Sequence, residues 1–149
     1  MKQKFKIRNV KWEDRHFCKL HDIRMSVFVK EQKVPLQEEF DNFDPVSYHA
    51  LAETQSGKPA GTGRLFRDPE DAELGHIGRM ATLPEFRGTG CGSAIMHHLI
   101  KEARLMGFKR LILSSQEHAC DFYARFGFRK RGEVYMDAGI RHIDMVREI

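Results

Sequence analysis

The sequence contains few cysteines, and their positions argue against two ways of stabilising a fold. Only three cysteines occur in 149 residues, and no two of them have the close spacing that is typical of a metal site. An odd count without such spacing favours a reduced compartment over a disulfide framework. No His-Glu-x-x-His motif occurs either, so the sequence predicts no bound metal.

Long apolar runs and an excess of one charge are also missing. No uninterrupted apolar stretch approaches the ~20 residues that a membrane span requires, and the first residues, Met1 to Arg8, carry charges without the apolar core of a secretory signal. The formal net charge is +4, and Lys and Arg are spread along the chain. The sequence therefore predicts a cytoplasmic protein that binds neither a membrane nor a nucleic acid.

The composition is that of one soluble globular domain. Hydrophobic residues make up 41% of the chain and charged residues 31%, as in ordinary soluble proteins. A chain of this length can bury roughly two thirds of its unfolded surface. Because no internal repeat, low-complexity tract or linker interrupts it, we predict a single domain over residues 1–149.

A glycine-rich turn is the stretch around which the other elements are arranged. A strand-like run ends just before Pro84, and an amphipathic helix is predicted to open at Ser93. Between them, Gly88, Gly90 and Gly92 lack the Cβ atoms that keep a ligand away from the backbone. The first N–H groups of the helix are unpaired and carry partial positive charge. The turn is therefore either an anion cradle, most naturally for pyrophosphate, or a means of packing the helix on the strand.

Hydrophobic periodicity predicts the element order β-α-loop-β-β-β-α-β-α-β-β. Asp14 is a candidate N-cap for the first helix. Gly75 and Gly78 interrupt the fourth strand, where a glycine marks a bulge or a close backbone approach. A mixed α/β domain accounts for this order. The predicted strands cover residues 5–10, 48–53, 60–66, 73–82, 110–115, 132–136 and 140–146, and the predicted helices cover 14–30, 93–106 and 119–126.

Two motifs, together with this order of elements, resemble the GNAT superfamily of N-acetyltransferases. Residues 87–92 have the form Arg-x-x-Gly-x-Gly, which fits that family's pyrophosphate signature, and residues 119–128 read Ala-x-x-Phe-Tyr-x-x-x-Gly-Phe, similar to its second motif. Residues 27–35 and 39–41 are similar to a bacterial branch described as YjcF-like or ElaA-like. The resemblance implies a mixed, mostly antiparallel sheet of about seven strands, flanked by helices and splayed between its fourth and fifth strands.

The resemblance also implies acetyl-CoA as the acyl donor. The pyrophosphate would lie on the amides of the glycine turn, and the pantetheine arm would lie along the strand edge that follows Gly78. Gln116 stands where many members of the family carry an asparagine, so the same amide chemistry comes from a longer side chain. The residues expected to contact acetyl-CoA are Met80, Ala81, Thr82, Arg87, Gly88, Thr89, Gly90, Cys91, Gly92, Ser93 and Gln116.

Tyr123 is the predicted general acid. Amine attack on a thioester expels a thiolate, which leaves more easily when a proton arrives, and a phenol with an ordinary pKa of ~10 can supply it. Phe122 and Phe126 are expected to face the core, which turns Tyr123 toward the gap between the strands. The alternative is a half-buried helix tyrosine whose hydroxyl lies in water.

Cys91 raises the question of a covalent route. A thiol at a helix N-terminus is expected to have a lowered pKa, which would permit an acyl-cysteine intermediate. However, the resemblance places Cys91 beside the pyrophosphate and away from the thioester. Direct transfer to the amine in a ternary complex is therefore the preferred hypothesis.

The acceptor is predicted to be a primary amine, either of a small molecule or of a peptide. An acidic run within residues 31–44 would suit a cationic amine if it borders the acceptor site, although an acidic loop is also compatible with simple solvation. The base that deprotonates the amine is left open: it could be Glu31, His49, His142 or a chain of water molecules. The candidate acceptor-side residues are Glu31, Gln32, Asp41, His49 and His142.

Other functions fit less well. A P-loop NTPase needs a lysine after its glycines, and a Rossmann domain places its glycine turn after the first strand; neither pattern occurs here. A non-catalytic CoA-binding module with the same fold remains the main alternative to an enzyme. An RNA-binding module would show steep salt dependence and no affinity for acetyl-CoA. The sequence leaves open whether the chain forms a homodimer.

Overall fold

A seven-stranded mixed sheet forms the centre of the protein, in a computed structural model that describes residues 3–149. The strands lie in the order β1-β2-β3-β4-β5-β7-β6, and β4 and β5 are parallel while every other neighbouring pair is antiparallel. The predicted fold class is therefore confirmed. The strands are β1 (Phe5–Val10), β2 (Tyr48–Thr54), β3 (Pro59–Arg67), β4 (Leu74–Thr82), β5 (Arg110–Gln116), β6 (Arg129–Asp137) and β7 (Ile140–Glu148).

Helices cover both faces of this sheet. One apolar cluster joins the sheet to α3, through side chains such as Ile95 and Leu99, and a second joins it to α1, through Leu20 and Ile23. Within residues 3–149, no helix is long and apolar enough to cross a membrane. The helices are α1 (Phe17–Arg24), which continues as a π-helical segment (Met25–Glu31), α2 (Leu36–Glu39), α3 (Cys91–Leu105) and α4 (Cys120–Ala124).

Two predicted helix starts are wrong. Asp14 does not cap α1, because its carboxylate accepts hydrogen bonds from the backbone N–H groups of Lys11 at 3.0 Å and His16 at 2.7 Å and so closes the preceding turn. The long helix α3 begins at Cys91, two residues before the predicted Ser93. At both sites the sequence contains residues that favour turns. Such residues occur both in the turn before a helix and at the first position of the helix, so they do not fix where the helix begins.

The central parallel pair separates partway along its length. Cα pairing of β4 with β5 runs from Leu74–Arg110 to Ile77–Leu113 and then stops, although both strands continue. On its other side, β4 shifts register against β3 at the same level, and Arg79 adopts a φ of 52°. This bulge confirms the irregularity predicted at Gly78, and it bends β4 away from β5.

Candidate active site

The separation of β4 from β5 opens a cleft of about 910 Å³. That volume lies at the upper end of the range for small-molecule sites, so the cleft has room for a cofactor together with a second substrate. The π-helical segment, the bulged end of β4, the glycine turn, α4 and the β5–β7 face all contribute to its walls. The cleft is therefore continuous from the glycine turn to the far side of the sheet.

The three glycines of the turn have two different roles. Gly88 and Gly90 adopt φ values of 78° and 94°, and a Cβ at Gly88 would meet no atom within 4 Å, so backbone conformation rather than packing requires glycine there. Gly92 lies inside α3, and a Cβ on it would come within 3.2 Å of the Phe122 ring. The first two glycines thus shape the turn at the cleft, and the third lets α4 pack closely on α3.

Arg87 is held across the cleft by Glu31. Its Nη1 and Nη2 donate to the two carboxylate oxygens of Glu31 at 2.9 and 2.8 Å, and its Nε donates to the carbonyl of Thr82 at 3.1 Å. The pairing raises the pKa of Arg87 and lowers the pKa of Glu31. Glu31, a candidate for the acceptor side, therefore contacts a candidate cofactor ligand.

A second contact crosses the cleft next to the first. The side-chain amide of Gln116 donates to Gln32 at 2.8 Å, and His118 lies 2.8 Å from the other end of the Gln116 amide. The π-helical segment and the residue after it thus touch both β5 and the glycine turn. Glu31 and Gln32, predicted to lie on the acceptor side, therefore contact Arg87 and Gln116, two residues that were predicted to bind the cofactor.

Tyr123 lines the cleft from α4. Its ring packs edge-on against Phe122, with centroids 5.0 Å apart at 78°, while its hydroxyl makes no hydrogen bond with residues 3–149. Burial raises the pKa of Tyr123 above that of an ordinary phenol, with Cys120 adding to the effect. The phenol therefore stays protonated at neutral pH and can donate its proton into the cleft.

Cys91 is buried at the start of α3. Burial raises the pKa of its thiol to about 11, although a hydrogen bond involving Thr82 partly opposes the shift. The expected lowering at a helix N-terminus is therefore wrong for this residue, because desolvation outweighs the helix dipole. At neutral pH Cys91 is a thiol rather than a thiolate, which argues against an acyl-cysteine route.

The acidic loop is neutralised by arginines. Glu39, Asp41 and Asp44 each contact two guanidinium groups, and each of the three arginines contacts two carboxylates. Oppositely charged residues thus alternate around a closed ring, with the closest N···O distances between 2.7 and 3.2 Å. We call this group the charge ring: Arg24, Glu39, Arg79, Asp41, Arg64 and Asp44.

The carboxyl groups of the charge ring have shifted pKa values. Burial opposes ionisation of Asp41 and Asp44, but their arginine partners outweigh it and lower the pKa of both. For Glu39 burial is the stronger influence, and its pKa is raised despite Arg79 and Arg24. Asp41, a candidate acceptor ligand, therefore has its carboxylate oxygens bound to Arg64 at 2.7 and 2.8 Å.

The two candidate histidines lie in different places. His49 is buried beneath the charge ring, where its Nε2 donates to the carbonyl of Asp44 at 2.8 Å, and it does not line the cleft. Burial lowers the pKa of His49 despite that hydrogen bond. His142 does line the cleft, and its Nδ1 lies 2.7 Å from the carbonyl of Ile140. Because a carbonyl only accepts, Nδ1 carries a proton, while Nε2 makes no hydrogen bond with residues 3–149.

A polar cluster on β5, β6 and β7 was missed at the sequence level. The Tyr135 hydroxyl donates to Asp144 at 2.7 Å and contacts the Ser114 hydroxyl, and the Tyr135 ring stacks on His142 with centroids 6.1 Å apart. The hairpin turn after Asp137 was readable, and counting back along it places Tyr135 opposite His142. No local signal pairs β5 with β7, so Ser114 could not have been added.

Comparison with known proteins points to one family. The sequence profile of the acetyltransferase (GNAT) domain matches residues 18–149. The N-acetyltransferase YjcF of Bacillus subtilis is 37% identical over 127 residues, which are 85% of this chain and 88% of YjcF. Among solved structures, an acyl-CoA N-acyltransferase from Pseudomonas aeruginosa is similar with a TM-score of 0.84 at 31% identity, covering 97% of this chain and 99% of that one. Escherichia coli ElaA gives a TM-score of 0.85 at 26% identity, covering 97% of this chain and 100% of ElaA.

Proposed function

Because the chain belongs to the GNAT acetyltransferase family, we propose that it transfers an acetyl group from acetyl-CoA to a primary amine by direct attack in a ternary complex. The observation that carries this proposal is the position of the glycine turn, whose positive-φ residues and following helix start lie at one end of the cleft between β4 and β5. A non-catalytic CoA-binding module would share that turn, so turnover is what separates the two.

The residues in this part of the cleft fit a thioester carrier. Backbone amides between Gly88 and Ser93 would bind its pyrophosphate, except that of Thr89, which donates to the carbonyl of Phe86 at 3.3 Å. The Arg87 guanidinium and the positive end of α3 would add to the binding. Beyond Ile77 the β5 side of β4 is unpaired, and a Cβ at Gly78 would meet nothing within 4 Å. An extended arm can therefore lie along β4 at this level. Bound there, acetyl-CoA supplies an activated acetyl group and a thiolate leaving group.

Three groups of the protein would act on the reacting atoms. The Nε2 of His142 takes a proton from the ammonium, so that the amine is free to attack the thioester carbonyl. A backbone N–H of Met80 or Ala81, at the bulge, stabilises the negative oxygen that develops there. As the C–S bond breaks, Tyr123 gives its proton to the departing thiolate. The nitrogen of the adduct must lose a second proton to become the amide, and that proton passes to the tyrosinate. The ammonium therefore loses two protons, one to His142 and one that replaces the proton given to the thiol.

Two measurements test the proposal. Calorimetry with CoA and acetyl-CoA checks the cofactor site, and mass spectrometry of a mixed amine and peptide pool incubated with acetyl-CoA identifies acetylated products. No heat with either compound would refute the proposed cofactor. Heat without any acetylated product would instead favour the non-catalytic module.

Tyr123→Phe tests the general acid. Turnover should fall by about tenfold or more while the affinity for acetyl-CoA stays nearly unchanged, since the variant removes only a proton donor. Tyr48→Phe is the matched control, because the Tyr48 hydroxyl is bound to His98 at 2.6 Å and Tyr48 does not line the cleft. Equal turnover in both variants would remove Tyr123 from the mechanism.

A further inference from the structure

The carboxylates that line the cleft differ in whether they have a cationic partner. Glu31 is bound to Arg87 and Glu39 belongs to the charge ring, whereas Glu38, Asp137 and Asp144 form no ion pair within residues 3–149. Of these three, only Asp144 projects from the interior of a sheet strand, and only Asp144 has a side-chain hydroxyl bound to it. Among the cleft carboxylates that the structure describes, Asp144 is therefore the one that lacks an ion pair and is held in position by a hydrogen bond.

The strand register places Asp144 at the apex of the cleft. The last Cα pair between β4 and β5 is Ile77–Leu113, so Gly78 and Ser114 are the first residues to face each other across the opening. Ser114 in turn pairs with Asp144 across β5 and β7. Asp144 therefore lies one strand away from the point where β4 turns aside, beyond the stretch that a pantetheine arm would occupy.

The groups around Asp144 complement an ammonium ion. Tyr135 donates to Oδ1 at 2.7 Å, which leaves Oδ2 and further lone pairs on the carboxylate for other donors. The Ser114 hydroxyl, which also contacts Tyr135, adds another acceptor. His142 precedes Asp144 by two residues and lies on the same face of β7. Its Nδ1 is bound to the carbonyl of Ile140, so Nε2 is the nitrogen that can receive a proton.

Arg131 is a cation whose position in the sheet could let it compete for this carboxylate. It lies opposite Asp144 in the backbone register of β6 and β7, but its guanidinium forms no ion pair with Asp144. The register of β6 shifts between Arg131 and Tyr135, and Tyr135 rather than Arg131 reaches the carboxylate. The site is thus open to a cation from outside the chain.

We propose that Asp144, fixed by Tyr135 and bordered by Ser114, binds the ammonium group of the acceptor and selects amines that are cationic at neutral pH. This inference rests on the proposed acetyl transfer, and it adds the acceptor class to it. A cation held by Asp144 lies next to His142, which can take its proton before attack. A neutral aromatic amine can donate a hydrogen bond to the carboxylate but gains no attraction between opposite charges, so the site discriminates by charge as well as by shape.

Amine binding can be measured without turnover. Benzylamine, a cation at neutral pH, and aniline, a neutral amine of similar shape, are titrated separately into the CoA-loaded protein while backbone amide NMR signals are followed. Benzylamine should shift the signals of Ser114, Tyr135 and Asp144 at concentrations about tenfold below those needed for aniline. Equal response to both amines, or no response at these residues, would overturn the proposal.

Variants separate a binding role from a structural one. Asp144→Asn should raise the KM for straight-chain alkylamines and benzylamine by about tenfold, with little change for aniline or in the affinity for acetyl-CoA. Tyr135→Phe keeps the carboxylate and should raise the same KM by only about threefold. Asp22→Asn, on exposed α1 surface, makes the same change in net charge and should have no effect.

Asp137→Asn tests whether the amine is bound by Asp144 itself or attracted by the negative charge of the cleft as a whole. Asp137 also lines the cleft without an ionic partner, but it lies at the exposed end of β6. If Asp137→Asn and Asp144→Asn raised the amine KM equally, the proposal would be overturned, because a general negative field would account for both effects.

An unchanged KM in Asp144→Asn, with the wild type active, would also overturn the proposal, while leaving acetyl transfer itself intact. Absence of wild-type turnover would count against acetyl transfer, and the NMR titration would still decide amine binding.

Discussion

The two acidic regions of this protein have opposite accessibility. The loop that carries Glu39, Asp41 and Asp44 is conspicuous in the sequence, yet each of its carboxylates is bound by two arginines in the charge ring. Asp144 is inconspicuous in the sequence, yet it lines the cleft and forms no ion pair with any residue from 3 to 149. The difference shows that an acidic stretch of sequence does not by itself predict a free carboxylate, because arginines distant in sequence can form ion pairs with its acids.

The charge ring has a structural consequence for the cleft. It connects α1, the loop after α2, β3 and the bulged residue Arg79, whose guanidinium also donates to the carbonyl of Glu39 at 3.0 Å. The bulge separates β4 from β5, so the ring stabilises the geometry that opens the cleft. The acidic loop thus holds the bulged residue in place, whereas Asp144 lines the cleft and accepts a hydrogen bond from Tyr135.

Arg24→Met should have the largest effect on stability. Removing one partner of a buried ion pair leaves the other charge uncompensated, which costs about 3–5 kcal/mol, and Arg24 is the fully buried partner of both Glu39 and Asp44. Urea denaturation measures the loss. The control is Arg141→Met, which breaks an exposed pair with Glu117 and should cost about 1 kcal/mol or less. Equal losses would show that burial does not distinguish the ring.

The second-largest effect on stability should come from protonation of the charge ring at acidic pH. Because the folded-state pKa of Asp44 lies below its ordinary 3.8, its stabilising contribution is fully present above that value and is lost as the pH falls through the lower folded-state pKa. Glu39 has the opposite sign, since its raised pKa means that its ionisation destabilises the fold as the pH rises past 4.5. Asp44→Asn should cost about 3 kcal/mol at neutral pH and flatten the acid limb of the stability profile. An unchanged acid limb would contradict the assignment.

Asp41→Asn compares the two regions directly. Its carboxylate binds Arg64 and Arg79 and is partly exposed, so the variant should lose about 1 kcal/mol of stability. Its amine KM should change by less than about twofold, against about tenfold for Asp144→Asn. Steady-state kinetics with the same alkylamine checks both. A larger KM effect at Asp41 would return the acceptor site to the acidic loop, as the sequence alone suggested.

Glu31→Gln should have the smallest effect. The Glu31–Arg87 pair is exposed, so stability should change by about 1 kcal/mol or less. Since Glu31 engages both terminal nitrogens of Arg87, it competes with a pyrophosphate for that guanidinium, and the variant should bind CoA about threefold more tightly. Calorimetry with CoA measures this. Glu85→Gln, which breaks an exposed pair with Lys58 outside the cleft, should leave the affinity unchanged, and weaker binding in Glu31→Gln would show that Glu31 instead positions Arg87.

The residues proposed to act on the cofactor could be predicted from the sequence because their signals are local. The glycines of the turn, the helix that follows them and Tyr123 on α4 lie in short segments whose backbone preferences act over a few residues. The contacts of the predicted acceptor-side residues could not be predicted in the same way. Glu31 and Gln32 contact Arg87 and Gln116, residues more than fifty positions away, and His49 is covered by the charge ring instead of facing the cleft.

By itself, the sequence determined the order of the strands and helices, the glycine turn and the family to which the chain belongs, because periodicity, turn chemistry and short motifs are properties of neighbouring residues. The tertiary structure alone decided where β4 leaves β5, which carboxylates are neutralised, and that Ser114, Tyr135 and Asp144 meet. Charge pairing and burial depend on long-range strand register. Charge pairing and burial therefore decide which carboxylates stabilise the fold through arginines and which carboxylate is left without an ion pair in the cleft.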